Sequence, residues 1–125
     1  MNMRRLLSLC QKYFGKANLY EVLKIPETSS EQQVKKAYYK MSLLVHPDRV
    51  EEDKKIEATE KFKVLRSVYC VLSDKEKRRI YDFMLMLIEY IYYEIDTYIH
   101  DPSISKRDLL ILIKFFFLVF DIKLI

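Results

Sequence analysis

Glycine occurs once in the 125 residues, at Gly15, and proline only three times. Phosphate-cradling loops need several closely spaced glycines, so there is no dinucleotide fingerprint, no P-loop and no nucleophile elbow. The same scarcity of turn residues excludes a many-stranded sandwich or barrel, whose hairpins rest on glycine or Asn-Gly turns. Cysteine is equally sparse. Cys10 and Cys70 are far apart with no histidine or second cysteine beside either, which leaves neither a zinc cluster nor a disulfide framework and points to a reduced compartment. Arg4 and Arg5 precede only Leu6, Leu7 and Leu9, an apolar run too short for a secretory signal. Residues 1–20 carry four basic side chains and no acidic one, a composition shared with transit peptides; the expectation is nevertheless a short amphipathic leader helix over 1–17.

What remains is a chain of 15.2 kDa, 50% hydrophobic and 32% charged, the size of one small all-α domain. Its charge is uneven: residues 1–82 hold 18 Lys and Arg against 12 Asp and Glu, whereas residues 83–125 hold 4 against 6. A basic balance of that size favours an acidic partner surface.

Helical periodicity recurs in four places before residue 82. Leu19, Tyr20, Val22 and Leu23 form a short segment ended by Pro26, because the residue before a proline resists helical geometry. Thr28 and Glu31 stand in a Thr-x-x-Glu capping-box relation ahead of Val34, Ala37, Tyr38, Met41, Leu44 and Val45, which predicts a second helix of about four turns. Pro47 ends it near Val45, and a polar loop follows from Asp48 to Lys55. Ala58, Phe62, Leu65, Val68, Tyr69 and Leu72 recur at steps of three and four and predict a third helix, antiparallel to the second. Tyr38, Phe62, Leu65, Tyr69 and Leu72 are read as core. Ser73 and Glu76 repeat the capping-box spacing and open a brief, very basic fourth helix through Lys75, Lys77, Arg78 and Arg79 to Tyr81.

After Asp82 the composition changes: 28 of the 43 residues from Phe83 to Ile125 are apolar or aromatic, nine of them isoleucine. Met84, Leu87, Ile88, Ile91, Ile95 and Ile99 keep a helical step, so the fourth helix can run on until Asp101-Pro102-Ser103 breaks it. Leu109 to Ile125 is only 17 residues with Lys114, Asp121 and Lys123 inside, whereas about 20 mainly apolar residues are needed to cross a bilayer. The tail is therefore expected to pack back on the domain, lie on a membrane surface or form an aggregation-prone end, rather than to span.

The chemistry-bearing cluster is His46-Pro47-Asp48, in the loop between the two long amphipathic helices. Lys35, Lys36 and Lys40, with Tyr39, lie on the face of the second helix opposite Val34 and Met41, where their ammonium groups stay solvated. Such a face steers a fast, reversible, salt-sensitive encounter with an acidic surface. Asp48 offers a carboxylate at a proline-set position, suited to an arginine fork. Consecutive loop residues rarely share a catalytic pocket, and the hydroxyl of Ser42 has no evident activating geometry, so His46 and Asp48 are not read as an acid–base pair. No catalytic, cofactor or metal-ligating residue is assigned. His100 is read as a helix-end histidine, and neither cysteine as an activated thiolate. The basic run at Lys75–Arg79 lacks an aromatic platform or base-reading motif, so it is read as a solubilising, ion-pairing surface, not as a specific nucleic-acid binder.

Taken together, Leu19-Tyr20-x-Val22-Leu23, Val34-Lys35-Lys36-Ala37-Tyr38, His46-Pro47-Asp48-Arg49, Phe62-Lys63-x-Leu65, Tyr69-x-x-Leu72-Ser73-Asp74 and Lys77-Arg78-x-x-Tyr81-Asp82 resemble the J-domain of the DnaJ, or heat-shock protein 40, co-chaperone family. The resemblance covers roughly residues 18–82. It implies two antiparallel helices flanked by short ones, binding to ATP-bound heat-shock protein 70, and stimulation of that partner's ATPase, with His46, Pro47, Asp48, Arg49, Lys35, Lys36, Tyr39, Lys40 and Lys63 at the contact. The segment from Leu6 to Tyr20 resembles a nuclear and cytosolic branch of the family whose members chaperone histones through a region after the J-domain. Because residues 83–125 depart from that branch's charged helices, the expectation is a truncated or spliced product. The rival readings are a histone-interaction protein, a membrane-tethered adaptor and a non-productive isoform.

Overall fold

In a computed structural model, the structure describes residues 2–111, 114 and 115. Among them the chain is helical, with no strand, in the order α1 (Met3–Phe14), α2 (Leu19–Leu23), α3 (Glu31–Val45), α4 (Lys55–Ser73) and α5 (Lys75–Ile99). The amphipathic leader expected at the start is α1. Asn2 caps it by accepting the Arg5 N–H at 2.8 Å, and Met3, Leu6 and Cys10, at helical steps, are buried. Gly15 ends it at φ 71°, a left-handed conformation that costs glycine little.

Helix α2 is only five residues long, yet its N-terminal donors are all accounted for. Asn18 Oδ1 accepts from the N–H groups of Tyr20 and Glu21, the Asn18 carbonyl accepts from Val22, and the Tyr81 hydroxyl, 62 residues away, accepts from Leu19 at 3.0 Å. Four apolar side chains, Leu19, Tyr20, Val22 and Leu23, are buried from this one turn. A helix this short is not stable alone; docking of its apolar side chains holds it.

The predicted antiparallel pair is α3 and α4, which make the most extensive contact in the fold. Val34, Leu65 and Val68 are fully buried between the layers, joined by Leu72 from α4 and Leu19 from α2. Tyr38 and Tyr69 stack across the pair with centroids 4.2 Å apart and planes 11° from parallel. Those two tyrosines and Phe62, predicted as core, are only half-buried: they sit where the α3 and α4 stripes meet solvent, while Val64, outside the predicted stripe, is buried.

Both predicted capping boxes are shifted. Residues 26–29 close a turn in which the Ser29 N–H reaches the Pro26 carbonyl at 3.1 Å, the N-cap with extended backbone is Ser30, and the reciprocal box is Ser30 with Gln33, not Thr28 with Glu31. Ser73 still belongs to α4, and Asp74, the single residue between α4 and α5, caps α5 by accepting the Lys77 N–H at 2.9 Å.

Helix α5 is not brief. It runs 25 residues, burying Tyr81 and Met84 and leaning Leu85 and Ile88 on the same core. Further along, Met86, Tyr90, Tyr92, Tyr93 and Ile99 are exposed. The chain turns at Asp101–Ser103, where Ser103 donates twice to Asp101, and helical backbone resumes over 106–111. No helix among the described residues is long and apolar enough to cross a membrane. Most of the Leu109–Ile125 run lies outside the described residues.

Candidate functional site: the His-Pro-Asp turn and the basic face of α3

Pro47 stops α3 at Val45 and starts a 3-10 turn, Pro47–Arg49, within the stretch read from sequence as plain loop; a second 3-10 turn, Glu52–Lys54, leads into α4. His46 serves both elements. Its extended backbone closes α3, and its Nδ1 accepts the Asp48 N–H at 3.2 Å, capping the turn. The imidazole stands edge-on to the Phe62 ring, centroids 5.7 Å apart at 79°, so α4 fixes the histidine and through it the turn. The Asp48 carboxylate, 85% exposed, lies 3.7 Å from His46 Nδ1 and projects into solvent. Arg49 is exposed beside it. A carboxylate held out on a proline-set turn is placed to receive a guanidinium from another molecule.

On α3, Lys35, Lys36, Tyr39 and Lys40 all face outward, opposite the buried Val34 and Met41. Lys35 Nζ lies 5.8 Å from the Tyr39 ring centroid, a cation–π contact that keeps the aromatic in the basic face. Ser42 Oγ donates to the Tyr39 carbonyl at 2.8 Å. The structure therefore joins the turn residues to one another and the α3 residues to one another, with α3 leading directly into the turn. Lys63 stands on α4, paired with Glu60 at 3.2 Å. Among the described residues no group of His, Cys, Asp and Glu is placed to hold a metal ion. The Cys10 thiol is buried, and desolvation pushes its pKa up to about 11, away from thiolate chemistry.

Two features escaped the sequence. Phe62 is the support of His46, not core. Arg78, read as solubilising surface, is a clasp: its Nε donates to the Tyr20 hydroxyl at 3.0 Å, and its Nη2 donates to the carbonyls of Ser29 at 2.5 Å and Glu27 at 3.1 Å. Tyr20 in turn donates to the Asp82 carboxylate in a short bond. Burial, followed by that hydrogen bond, raises the Tyr20 pKa to about 12, so the phenol stays protonated and available as donor. The clasp ties α5 to the segment that launches α3, fixing the basic face on the body. Its signal in the sequence was the Lys77-Arg78-x-x-Tyr81-Asp82 motif. Of the other cations in that run, Arg79 does pair with Glu76, as expected, at 2.5 Å.

An antiparallel helix pair with a His-Pro-Asp turn at its end and a basic outer face is the architecture of a J-domain. The DnaJ domain family profile matches residues 18–82, over half the chain, and the chain belongs to that family. It is 55% identical over 76 residues to a J domain-containing protein of Drosophila melanogaster, covering 61% of this chain and 25% of that protein. It is 53% identical over 77 residues to DnaJ homolog subfamily C member 9 of Mus musculus, covering 62% of this chain and 30% of that one. The crystal structure of the J-domain of a DnaJ homologue from C. elegans superposes with a TM-score of 0.53 at 35% identity, covering 61% of this chain and 77% of the other. The chain thus spans between a quarter and a third of the length of those two curated relatives.

Proposed function

We propose that the chain is a J-domain co-chaperone that docks on ATP-bound heat-shock protein 70 and accelerates its ATP hydrolysis. The observation that carries this reading is the solvent-projected Asp48 carboxylate on a turn braced by His46 and Phe62, at the end of a helix whose outer face is basic. The lysines of α3 steer the encounter and set its orientation, a contribution to association rate more than to affinity. Asp48 then engages an arginine of the partner, with Pro47 and Arg49 shaping the contact and Lys63 at its margin. The chemistry belongs to the partner's nucleotide site; this chain supplies binding that differs between the partner's nucleotide states, which is what couples docking to hydrolysis.

Association kinetics with heat-shock protein 70 loaded with ATP or ADP test the reading. The expected result is faster and tighter binding to the ATP form, slowed by Lys35→Glu with Lys36→Glu and with a flatter salt dependence. Equal binding to both nucleotide forms overturns the coupling, and equal rates for wild type and variant at low salt overturn the steering role of α3.

A further inference from the structure

The body of the domain and the outer part of α5 differ in charge. From Phe83 to Ser105 four residues are acidic, Glu89, Glu94, Asp96 and Asp101, and none is lysine or arginine. Phe83, Met86, Tyr90 and Tyr93 recur at steps of three and four and therefore share one side of α5, where they are 44%, 57%, 59% and 72% exposed. Glu89 and Asp96 border this stripe on one edge and Glu94 on the other, by the 3.6-residue turn. An exposed aromatic stripe of this kind marks an interaction surface.

A matching surface lies on the body. Between α2 and α3 runs a groove of about 440 Å³, floored by the buried Leu23 and Met41 and rimmed by Lys24, Lys36 and Lys40, with no carboxylate in its lining. Leu44 is 64% exposed at its mouth, an apolar side chain with nothing over it.

We propose that these are the two halves of one interface and that the partner is a second copy of this chain: the acid-edged aromatic stripe of α5 from one copy lies in the lysine-rimmed α2–α3 groove of another. The groove of its own chain is out of reach, because α5 is one unbroken helix of 25 residues, about 37 Å long at 1.5 Å per residue, whose first turns are pinned to the core by Tyr81 and Met84. The mode is helix-in-groove: aromatic anchors enter the apolar floor, while the lysines meet Glu89, Glu94 and Asp96 and set orientation. Reciprocal exchange of α5 between two copies fills both grooves and closes the assembly as a dimer.

Sedimentation velocity over a wide range of protein concentration tests this on the full chain, with no heat-shock protein 70 present, so its outcome is independent of the function proposed above. Wild type is expected to gain mass with concentration and to lose it at high salt. Two charge reversals at exposed positions, Lys36→Glu with Lys40→Glu and separately Glu89→Lys with Asp96→Lys, are each expected to remain monomeric, because each places like charges across the interface. Mixing the two variants in equal amounts pairs opposite charges again and is expected to restore association. Circular dichroism establishes that each variant is folded. A wild type that stays monomeric at every concentration overturns the proposal, as do variants that associate like wild type or a mixture that remains monomeric.

Discussion

Replacing Tyr81 by phenylalanine removes one oxygen atom and leaves a fully buried ring in place. That oxygen accepts the Leu19 N–H at 3.0 Å, the one N-terminal donor of α2 that no local group satisfies, since Asn18 takes the next three. Without it the N–H is buried against an apolar ring edge. An unsatisfied buried donor costs about 1–3 kcal/mol, and no cavity adds to this because the ring volume is kept. At about 4–8 °C of melting temperature per kcal/mol for a domain of this size, the Tyr81→Phe chain melts well below wild type. Urea unfolding followed by circular dichroism gives the loss as a lower midpoint at unchanged slope. Amide exchange locates it: Leu19 loses protection, because α2 opens from its first turn, while the α3 and α4 amides keep theirs at conditions far from global unfolding. An unchanged midpoint together with an unchanged Leu19 amide refutes the argument.

The remaining predictions concern the caps, the alkaline limb and the turn. Ser30→Ala is expected to cost about 1 kcal/mol in urea unfolding, whereas Thr28→Ala, which removes no cap, is expected to be near neutral; the reverse order contradicts the placement of the box. Folding raises the Cys10 pKa from 9.0 to about 11 and that of Tyr20 from 10.0 to about 12, so both hold their protons more tightly in the folded chain. The stability they contribute is complete below about pH 9 and is lost as pH rises through 11 to 12, the thiol's share being on the order of 2–3 kcal/mol. Cys10→Ala is therefore expected to flatten the fall in melting temperature between about pH 9 and 11, and parallel profiles for variant and wild type would falsify this. Phe62→Ala frees the His46 ring from its edge-on contact, so Lys35 and Lys36 should still steer association with heat-shock protein 70 while the rate of ATP hydrolysis falls; hydrolysis as fast as with wild type removes Phe62 from the account.

The α3–α4 pair was legible because its signals are local: apolar steps of three and four on each side of Pro47. Helix α2 was legible from a four-residue apolar cluster and Pro26. The caps were not, because Thr28 with Glu31 and Ser30 with Gln33 offer two overlapping frames, and what chooses between them is the turn that Pro26 closes through Ser29. The half-burial of Tyr38, Phe62 and Tyr69 depends on how two stripes meet, which neither stripe encodes alone. The His46–Asp48 turn and the lysine face were visible as residue types at a spacing. Arg78 was not, since it sits in a run of basic residues and its partners lie 49 to 58 positions away in the chain. The length of α5 followed from the helical step of its isoleucines, and its exposed aromatic side is a property of the packed body ending where the helix does not.

The most direct test of the account is single-turnover ATP hydrolysis by heat-shock protein 70, measured alone, with residues 1–125, and with the Asp48→Asn and His46→Gln variants. The account predicts acceleration by the wild-type chain and none by either variant, with helicity and melting temperature unchanged by Asp48→Asn because that carboxylate is exposed and outside the core. Equal acceleration by wild type and Asp48→Asn, or none by the wild-type chain, would contradict it.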